Sequence, residues 1–366
     1  MPSTLDSLDT PFVTVDLNLV KQNLRSMHDA AHQRGLKVRP HTKTHRQPFF
    51  AHQQSQLGAD GLTVAKLDEA EVMLEGGLNE LLIAYPIVGE SKAYRLAALM
   101  MRGLQPTVSI DSMASMQTLV LAATLSNKTI DVLVEVDTGF RRCGLTGSAV
   151  IELADAINKA DGLQLRGLMS FAGQISGNTN AKVIRKIVEE DDQQLGHYAS
   201  EFRAHGLPID IISVGGTILS HHLDVLRHAT EIRPGIYIFN DMGIVTSGAV
   251  STSNCAARIW ATVASRPTED RAVLDAGTKI LSTDGPLGGC FGHIIDVPGW
   301  SITRLSEEHA VVERMDKGAV FPEIGQRVSI IPNHICTVIN LQNSVVGIED
   351  ERVVATLPVL ARGGSH

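Results

Sequence analysis

The sequence has little of what marks secreted, membrane-bound or redox-active chains. Its four cysteines, Cys143, Cys255, Cys290 and Cys336, are widely spaced and form no CxxC pair, so no disulfide framework is expected. There is no run of about 18 apolar residues, and the N-terminus has neither a basic nor an apolar leader segment. The sequence therefore predicts a cytoplasmic protein with no membrane partner.

A surplus of basic residues is also missing. Lysine and arginine number 32 against 40 acidic residues, and the net charge of −8 argues against a nucleic-acid partner. The 43% hydrophobic and 20% charged fractions are typical of globular proteins. A length of 366 residues exceeds one typical domain but suits an α/β barrel with a smaller second domain.

Short apolar strands alternate with helical segments through the first two thirds of the chain. The predicted strands are 36–39, 61–64, 80–84, 107–110, 131–136, 163–169, 210–214 and 230–233. Eight such repeats predict an α/β fold with a closed parallel (β/α)8 TIM-type barrel, whose strand C-terminal ends carry the chemistry. A doubly wound open sheet is the structural alternative.

The pattern changes after residue 243. Segments 257–263, 271–274, 327–331 and 353–356 are rich in β-forming residues and separated by turns. We therefore predict a barrel over 17–243 and a mainly-β domain made of 1–16 and 244–366, with the early strand 11–16 joining the second domain.

A basic segment, residues 37–46, follows the first predicted barrel strand, and six of its ten residues are Lys, Arg or His. If it stays extended, His41, Lys43 and His45 share one face, with Arg39 behind them. Neighbouring positive charge disfavours an ammonium, and a neutral amine attacks an aldehyde to form a Schiff base. Lys43 is thus a candidate cofactor anchor, with His41 and His45 as candidate catalytic groups. The alternative is a solvated basic loop.

A glycine turn follows the seventh predicted strand. Ser213 ends that strand, and Gly215, Gly216 and Thr217 form a turn whose backbone N–H groups could bind a phosphate. Alone, such a turn is more often just a tight strand-to-helix connection. Barrel phosphate sites commonly use the loops after strands seven and eight, and Tyr237 after strand eight could contact the same phosphate. Together with an anchoring lysine, these residues describe a site for pyridoxal phosphate.

A second candidate site lies near the C-terminus, at His334 and Cys336. In a strand these side chains would project from one face, at a separation suited to one divalent ion. Two protein ligands leave positions open for water or substrate, as in catalytic zinc sites. The alternative is a buried cysteine beside a packed histidine. Cys290 and His293 are left out as chance neighbours.

These motifs together resemble the D-serine dehydratase and D-threonine aldolase family of fold-type III pyridoxal phosphate enzymes, whose barrel is similar to that of alanine racemase. The resemblance spans nearly the whole chain and is carried by R-P-H-T-K-T-H at 39–45, by 137–144, 213–217 and 275–279, and by P-N-H-I-C at 332–336. It implies pyridoxal phosphate on Lys43, with Arg39 and Arg142 among its contacts. It also implies a divalent metal, zinc or manganese, on His334 and Cys336, and a homodimer.

The resemblance also implies the substrate class. His-x-Cys is associated with dehydratases of the D-serine type and His-x-Asp with D-threonine aldolases. The expected reaction is therefore dehydration and deamination of a D-3-hydroxy amino acid to a 2-oxo acid and ammonia. Retro-aldol cleavage to glycine and an aldehyde is the alternative, and racemisation a further one that has no use for a metal. One departure is Phe171-Ala172, where many members carry a tyrosine and a histidine.

Overall fold

The computed structural model describes residues 4–284 and 287–366. The chain divides into two compact units, each made of several segments. The first unit contains the residues up to Leu24, Thr44–Arg46 and Ile236–Gly363, and the second contains Arg25–Lys43, Gln47–Gly235 and Gly364–His366. Within the described residues, no helix is both long and apolar enough to cross a bilayer.

The first strand of the chain, β1 (Phe12–Asp16), runs directly into helix α1 (Leu17–His32). Asp16 Oδ1 accepts hydrogen bonds from the backbone N–H groups of Asn18 and Leu19 at 2.9 and 3.0 Å, which satisfies donors at the helix start. The apolar positions of α1 recur every three or four residues and are buried at Val20, Leu24, Met27 and Ala31.

The second unit is built on eight strands. They are β2 (Lys37–Val38), β3 (Leu62–Val64), β4 (Glu80–Ile83), β5 (Gln105–Ile110), β6 (Ile130–Val136), β7 (Leu163–Phe171), β8 (Ile211–Gly215) and β9 (Glu231–Arg233). They form one parallel sheet in the order β2-β9-β8-β7-β6-β5-β4-β3. Each of the eight strands predicted from the sequence is confirmed.

Helices lie between these strands, as the alternating pattern predicts. They are α2 (Pro48–Gln56), α3 (Leu67–Glu75), α4 (Glu90–Met101), α5 (Met113–Ser126), α6 (Ser148–Lys159) and α7 (Ala181–Ala204). The strands are buried on both faces, as Leu81, Leu82 and Ile83 of β4 illustrate with at most 1% exposure.

The chain just beyond β2 closes the sheet. His41 forms a parallel bridge with Thr63 of β3. The N–H of Thr63 donates to Pro40 O at 2.8 Å, and its hydroxyl donates to Arg39 O at 2.8 Å. The predicted (β/α)8 barrel is therefore confirmed, and the chain segments that follow the strands meet at one end of it.

Strand β7 carries a bulge opposite β6. Val132 pairs with Leu165, but the next residue, Leu133, pairs with Gly167. Gly167 has a φ of +144°, and a Cβ added there would lie 2.0 Å from Ile211 O on β8. Only glycine fits, and the bulge shifts the rest of β7 by one position relative to β6.

The first unit is mainly β, as predicted. Its further strands are β10 (Ala257–Thr268), β11 (Arg271–Leu274), β12 (His293–Ile294), β13 (Trp300–Leu305), β14 (Ala310–Arg314), β15 (Arg327–Ile331), β16 (Ser344–Glu349) and β17 (Arg352–Pro358). Short helices α8 (Met242–Thr246), α9 (Thr278–Leu281) and α10 (Ile335–Leu341) connect them. Strand β1 pairs antiparallel with β10 and parallel with β16, so the N-terminal strand does join this domain.

The bulge glycine gives a stability prediction. We expect Gly167→Ala to lower the free energy of unfolding by about 2–5 kcal/mol, because the new methyl group both strains φ and overlaps a carbonyl. Gly103→Ala is the matched control, since Gly103 has a φ of +114° but a Cβ added there would have nothing within 4 Å. That control should lose only about 1 kcal/mol. Equal losses in urea denaturation would contradict the argument.

Candidate active site

Lys43 lies in a turn and not in an extended segment. The residues Thr42–Thr44 form a 3-10 turn directly after β2 and the bridge at His41. The N–H of Lys43 donates to His41 Nδ1 at 3.3 Å, and Thr42 Oγ1 donates to Thr63 O at 3.1 Å. These side-chain contacts favour the turn. The prediction that His41, Lys43 and His45 share one face of a strand is therefore wrong, and His45 belongs to the first unit.

An aromatic ring lies next to the Lys43 amine. Lys43 Nζ is 5.7 Å from the ring centre of Phe171, which ends β7, and Arg142 Cζ is 4.8 Å from the same ring. Phe140 packs edge-on against Phe171, with ring centres 5.5 Å apart. The ring face attracts both cations, and this arrangement brings a lysine from beyond β2 and an arginine from beyond β6 to one surface.

The glycine turn after β8 packs against the same ring. A Cβ at Gly215 would lie 2.6 Å from Arg233 Nη2 and 3.1 Å from Phe171, so a side chain there would collide with both. Gly216 has a φ of +114°, and Thr217 Oγ1 accepts a hydrogen bond from the N–H of Gly235 at 3.2 Å. Bare backbone, an amine and an aromatic wall fit the phosphate, aldehyde and ring of pyridoxal phosphate.

Arg233 lies beside the candidate site, although none of the predicted motifs includes it. Its guanidinium donates to Ser213 Oγ and to Ser170 O, both at 2.6 Å. Ser213 Oγ in turn donates to Glu231 at 2.6 Å, and Glu231 pairs with Arg39 at 3.2 Å. The signal was present in the sequence, because alternate positions of a predicted barrel strand, 231 and 233, are charged and must face one side.

Burial affects the pKa of Arg233. Removal from water lowers the pKa of Arg233 to about 10, opposed by the nearby carboxylates of Glu231, Glu135 and Asp191. The guanidinium therefore stays charged at neutral pH. Burial likewise raises the pKa of Glu135, against the attraction of Arg233 and Arg142. The buried guanidinium of Arg233 is thus flanked by buried acidic groups.

Asp191 is a second buried charged residue that none of the predicted motifs includes. It projects from α7 and accepts hydrogen bonds from Thr138 Oγ1, in the loop after β6, and from Ser170 Oγ at 3.0 Å. Burial raises the pKa of Asp191 to about 6, and those two hydrogen bonds oppose the shift. Gln174 Nε2 donates to Thr138 O at 3.3 Å, so the same loop is held from both sides.

The His-x-Cys pair lies at the start of a helix. The predicted strand there is wrong, since His334 precedes α10 and Cys336 lies in its first turn. Asp241 explains the difference, because its buried carboxylate accepts the N–H of Ile335 at 3.0 Å and that of Ile244 at 3.1 Å. One acid thereby caps two helices, α8 and α10.

The two side chains still meet. Burial alone would lower the pKa of His334, but its hydrogen bond to Cys336 and the charges of Cys336 and Asp241 raise it to about 10, helped by a hydrogen bond to Asp284. Cys336 Sγ also donates to Thr44 Oγ1 at 3.3 Å. An imidazole and a thiol this close fit a divalent ion such as zinc. Among residues 4–284 and 287–366, no group of three or more His, Cys, Asp or Glu side chains is arranged to hold an ion.

The remaining predicted residue, Tyr237, lies in a 3-10 turn of the first unit, Ile236–Ile238, and is 2% exposed. Its contact with a phosphate stays a prediction. The second unit holds most of the predicted site residues, namely Arg39, His41, Lys43, Arg142, Ser213, Gly215, Gly216 and Thr217. The first unit holds His45, Tyr237, His334 and Cys336.

Two protein-family models match the chain, one over each of two successive parts of the sequence. Residues 15–242 match the family model of the alanine racemase N-terminal domain, and residues 256–348 match that of a putative serine dehydratase domain. D-threonine aldolase of Arthrobacter sp. is 30% identical over 366 residues, covering 99% of this chain and 95% of that protein. D-threo-3-hydroxyaspartate dehydratase of Delftia sp. strain HT23 is 29% identical over 356 residues, covering 92% and 93%.

Solved structures give the same picture. The crystal structure of D-threonine aldolase from Filomicrobium marinum superposes with a TM-score of 0.93 at 30% identity, covering 100% of both chains. The Delftia dehydratase superposes at 0.89 with 27% identity, covering 98% and 99%. D-threo-3-hydroxyaspartate dehydratase has also been solved as a histidine mutant and as a cysteine mutant in a metal-free form, and the two mutated residues are two positions apart.

Asp191 gives a pH prediction. Its raised pKa means that between about pH 4 and pH 6 the folded protein keeps a proton that the unfolded chain has lost. The free energy of unfolding should therefore fall as pH rises through this window, and Asp191→Asn should remove about 3 kcal/mol of that fall. Urea denaturation at about pH 4 and about pH 7 measures it. Glu190→Gln, an exposed acid on the same helix, should keep the wild-type slope. If D191N keeps it too, the argument fails.

Proposed function

This chain belongs to the alanine racemase-like family of pyridoxal phosphate enzymes that contains D-threonine aldolases and D-serine dehydratases, and we propose that it dehydrates D-3-hydroxy amino acids to 2-oxo acids and ammonia. It is a lyase, as its relatives are. The proposed cofactors are pyridoxal phosphate and a divalent metal, zinc by preference and manganese as the alternative.

The observation that carries the choice of dehydration is the spacing of His334 and Cys336. In a D-threo-3-hydroxyaspartate dehydratase of known structure, a histidine and a cysteine at the same spacing are the mutated residues, and the cysteine mutant was solved in a metal-free form. A thiol favours zinc over harder ions, and two protein ligands leave room for a substrate oxygen. The ion would supply a Lewis acid for the poor leaving group, hydroxide.

The cofactor residues are assigned from their contacts. Lys43 would carry pyridoxal phosphate, and Gly215, Gly216 and Thr217 would hold its phosphate. Pyridoxal phosphate, when bound, supplies an electron sink for negative charge at the substrate Cα. Phe171 packs between the amine and the glycine turn, so it gives the site an apolar wall where a tyrosine or histidine would add a proton-transfer group.

That apolar wall leaves the proton transfer to other groups. We propose that the Lys43 amine takes the proton from Cα while hydroxide leaves Cβ. The resulting enamine gains a proton at Cβ and is hydrolysed to the 2-oxo acid and ammonia. His41 Nδ1 accepts a hydrogen bond from the backbone N–H of Lys43 and would hold in place the backbone from which this amine extends. His45 is the further candidate for proton transfer.

Aldol cleavage is the second candidate. The 30% identity and near-complete coverage of D-threonine aldolases favour it. In that reaction a base takes the proton from the β-hydroxyl oxygen, the Cα–Cβ bond breaks to release an aldehyde, and Cα then gains a proton to give glycine. Both reactions use one amine and one ion, so the products distinguish them.

The cofactor assignment predicts a visible absorbance band that borohydride bleaches. The trapped mass increase should lie on the peptide that contains Lys43, because a Schiff base there is reduced to a stable amine. Lys43→Ala should lose both the band and the activity, whereas Lys37→Ala, with an exposed side chain in the same segment, should keep both. A K43A protein that retains the band would refute the assignment.

Metal removal tests the reaction. Chelation should abolish turnover of D-serine, D-threonine or D-3-hydroxyaspartate, and added zinc or manganese should restore it, because hydroxide leaves poorly without a Lewis acid. Cys336→Ala should behave as the chelated enzyme, while Cys290→Ala should behave as wild type. Production of a 2-oxo acid and ammonia supports dehydration. Glycine with an aldehyde would instead establish the aldolase, and unchanged activity after chelation would exclude the metal role.

A further inference from the structure

We propose that Asp284 positions His334 for metal binding by accepting the hydrogen bond from Nδ1, which leaves Nε2 as the ligand nitrogen. The inference rests on the proposed metal site at His334 and Cys336 and deepens it. The proposal assigns Asp284 a positioning role and not a place among the metal ligands.

The contact itself is direct. Asp284 Oδ2 is hydrogen-bonded to His334 Nδ1. An imidazole has two ring nitrogens, and only the one without a proton can bind a metal. A carboxylate that accepts the proton of one nitrogen therefore selects the tautomer, orients the ring and makes the other nitrogen more basic. Asp284 is placed to do this for His334.

Neighbouring hydroxyls hold the carboxylate. Thr337 Oγ1 lies 3.2 Å from Asp284 Oδ2 and 3.1 Å from His334 O, so one residue of α10 links the acid to the histidine. Ser282 Oγ accepts the N–H of Asp284 at 3.1 Å and hydrogen-bonds to Thr337 Oγ1 at 3.0 Å. Four residues thus form a closed polar ring that fixes Asp284 against the imidazole.

The backbone at Ser282, two residues before Asp284, has an unusual conformation. Ser282 ends α9 with φ of +65° and ψ of 176°, a conformation that is costly for a residue with a side chain. Asp284 and His334, the two residues in contact, are 50 positions apart in sequence. A conformation with this cost persists only where surrounding contacts support it, and the hydroxyl ring supplies them.

Two other roles for Asp284 are less consistent with the structure. As a third ligand it would complete a group of three, and the described residues contain no such group. As a simple stabilising ion pair it would have little effect, because the His334 and Asp284 side chains keep 40% and 45% of their surface exposed. A positioning role needs neither a third ligand site nor burial.

The test compares metal affinity with stability. Cofactor-loaded wild type and the variant Asp284→Asn are stripped of metal and titrated with Zn²⁺ in competition with a chromogenic chelator. We expect D284N to bind zinc about 10- to 100-fold more weakly. The thermal midpoint of the metal-free protein should move by no more than about 2 °C. Glu308→Gln, an exposed acid of the first unit paired with Lys279, is the control and should match wild type in both.

Cobalt separates positioning from ligation. Co²⁺ bound beside a thiolate gives an intense near-ultraviolet band, and its visible bands report the ligand set. Saturated D284N should show the wild-type spectrum, reached at higher Co²⁺. A changed spectrum would overturn the positioning role in favour of ligation, and equal zinc affinity would overturn any role. If wild type binds no zinc, the proposed metal site fails and the Asp284 role with it.

Discussion

The active-site end of the barrel depends on one buried charge, the guanidinium of Arg233. A buried arginine must give its hydrogen bonds to fixed acceptors, and here these are Ser213 Oγ on β8 and Ser170 O on β7. The three strands that carry these groups are neighbours in the sheet, so satisfying one charge sets the relative heights of their ends. Glu231 supplies the compensating charge through Ser213.

The constraint on Ser170 also bears on the position of Phe171, the next residue of β7. The residue follows Ser170, and its ring packs on the glycine turn and beneath the Lys43 amine. The resemblance drawn from the sequence implies polar groups at this point, whereas a phenyl ring can neither donate nor accept a proton. The ring face instead lies near two cationic side chains, those of Lys43 and Arg142. Phe171 therefore adds no titratable group beside Lys43.

In the first unit the same logic operates through Asp241. Its buried carboxylate caps two helices at once, and burial raises the pKa of Asp241 to about 6 despite these hydrogen bonds. The cap starts α10 directly after His334, which turns a segment with strand-like composition into a helix. In a regular helix, side chains two residues apart point in directions that differ by about 200°. His334 precedes the first turn of α10, however, and its ring is hydrogen-bonded to Cys336.

The eight barrel strands and the later β-rich segments could be predicted from the amino-acid sequence, because apolar periodicity is a local property, and short motifs singled out the candidate site residues. How those residues meet could be learned only from the folded chain. The extended form expected for 41–45 became a turn, since His41 and Thr42 bond to backbone groups. Arg233, Asp191 and Asp284 belong to no motif, because each acts through a partner at least 20 positions away in sequence. The alternate charges at 231 and 233 predict only a shared face, because the groups that these side chains contact about 20 or more positions away are set by the tertiary fold.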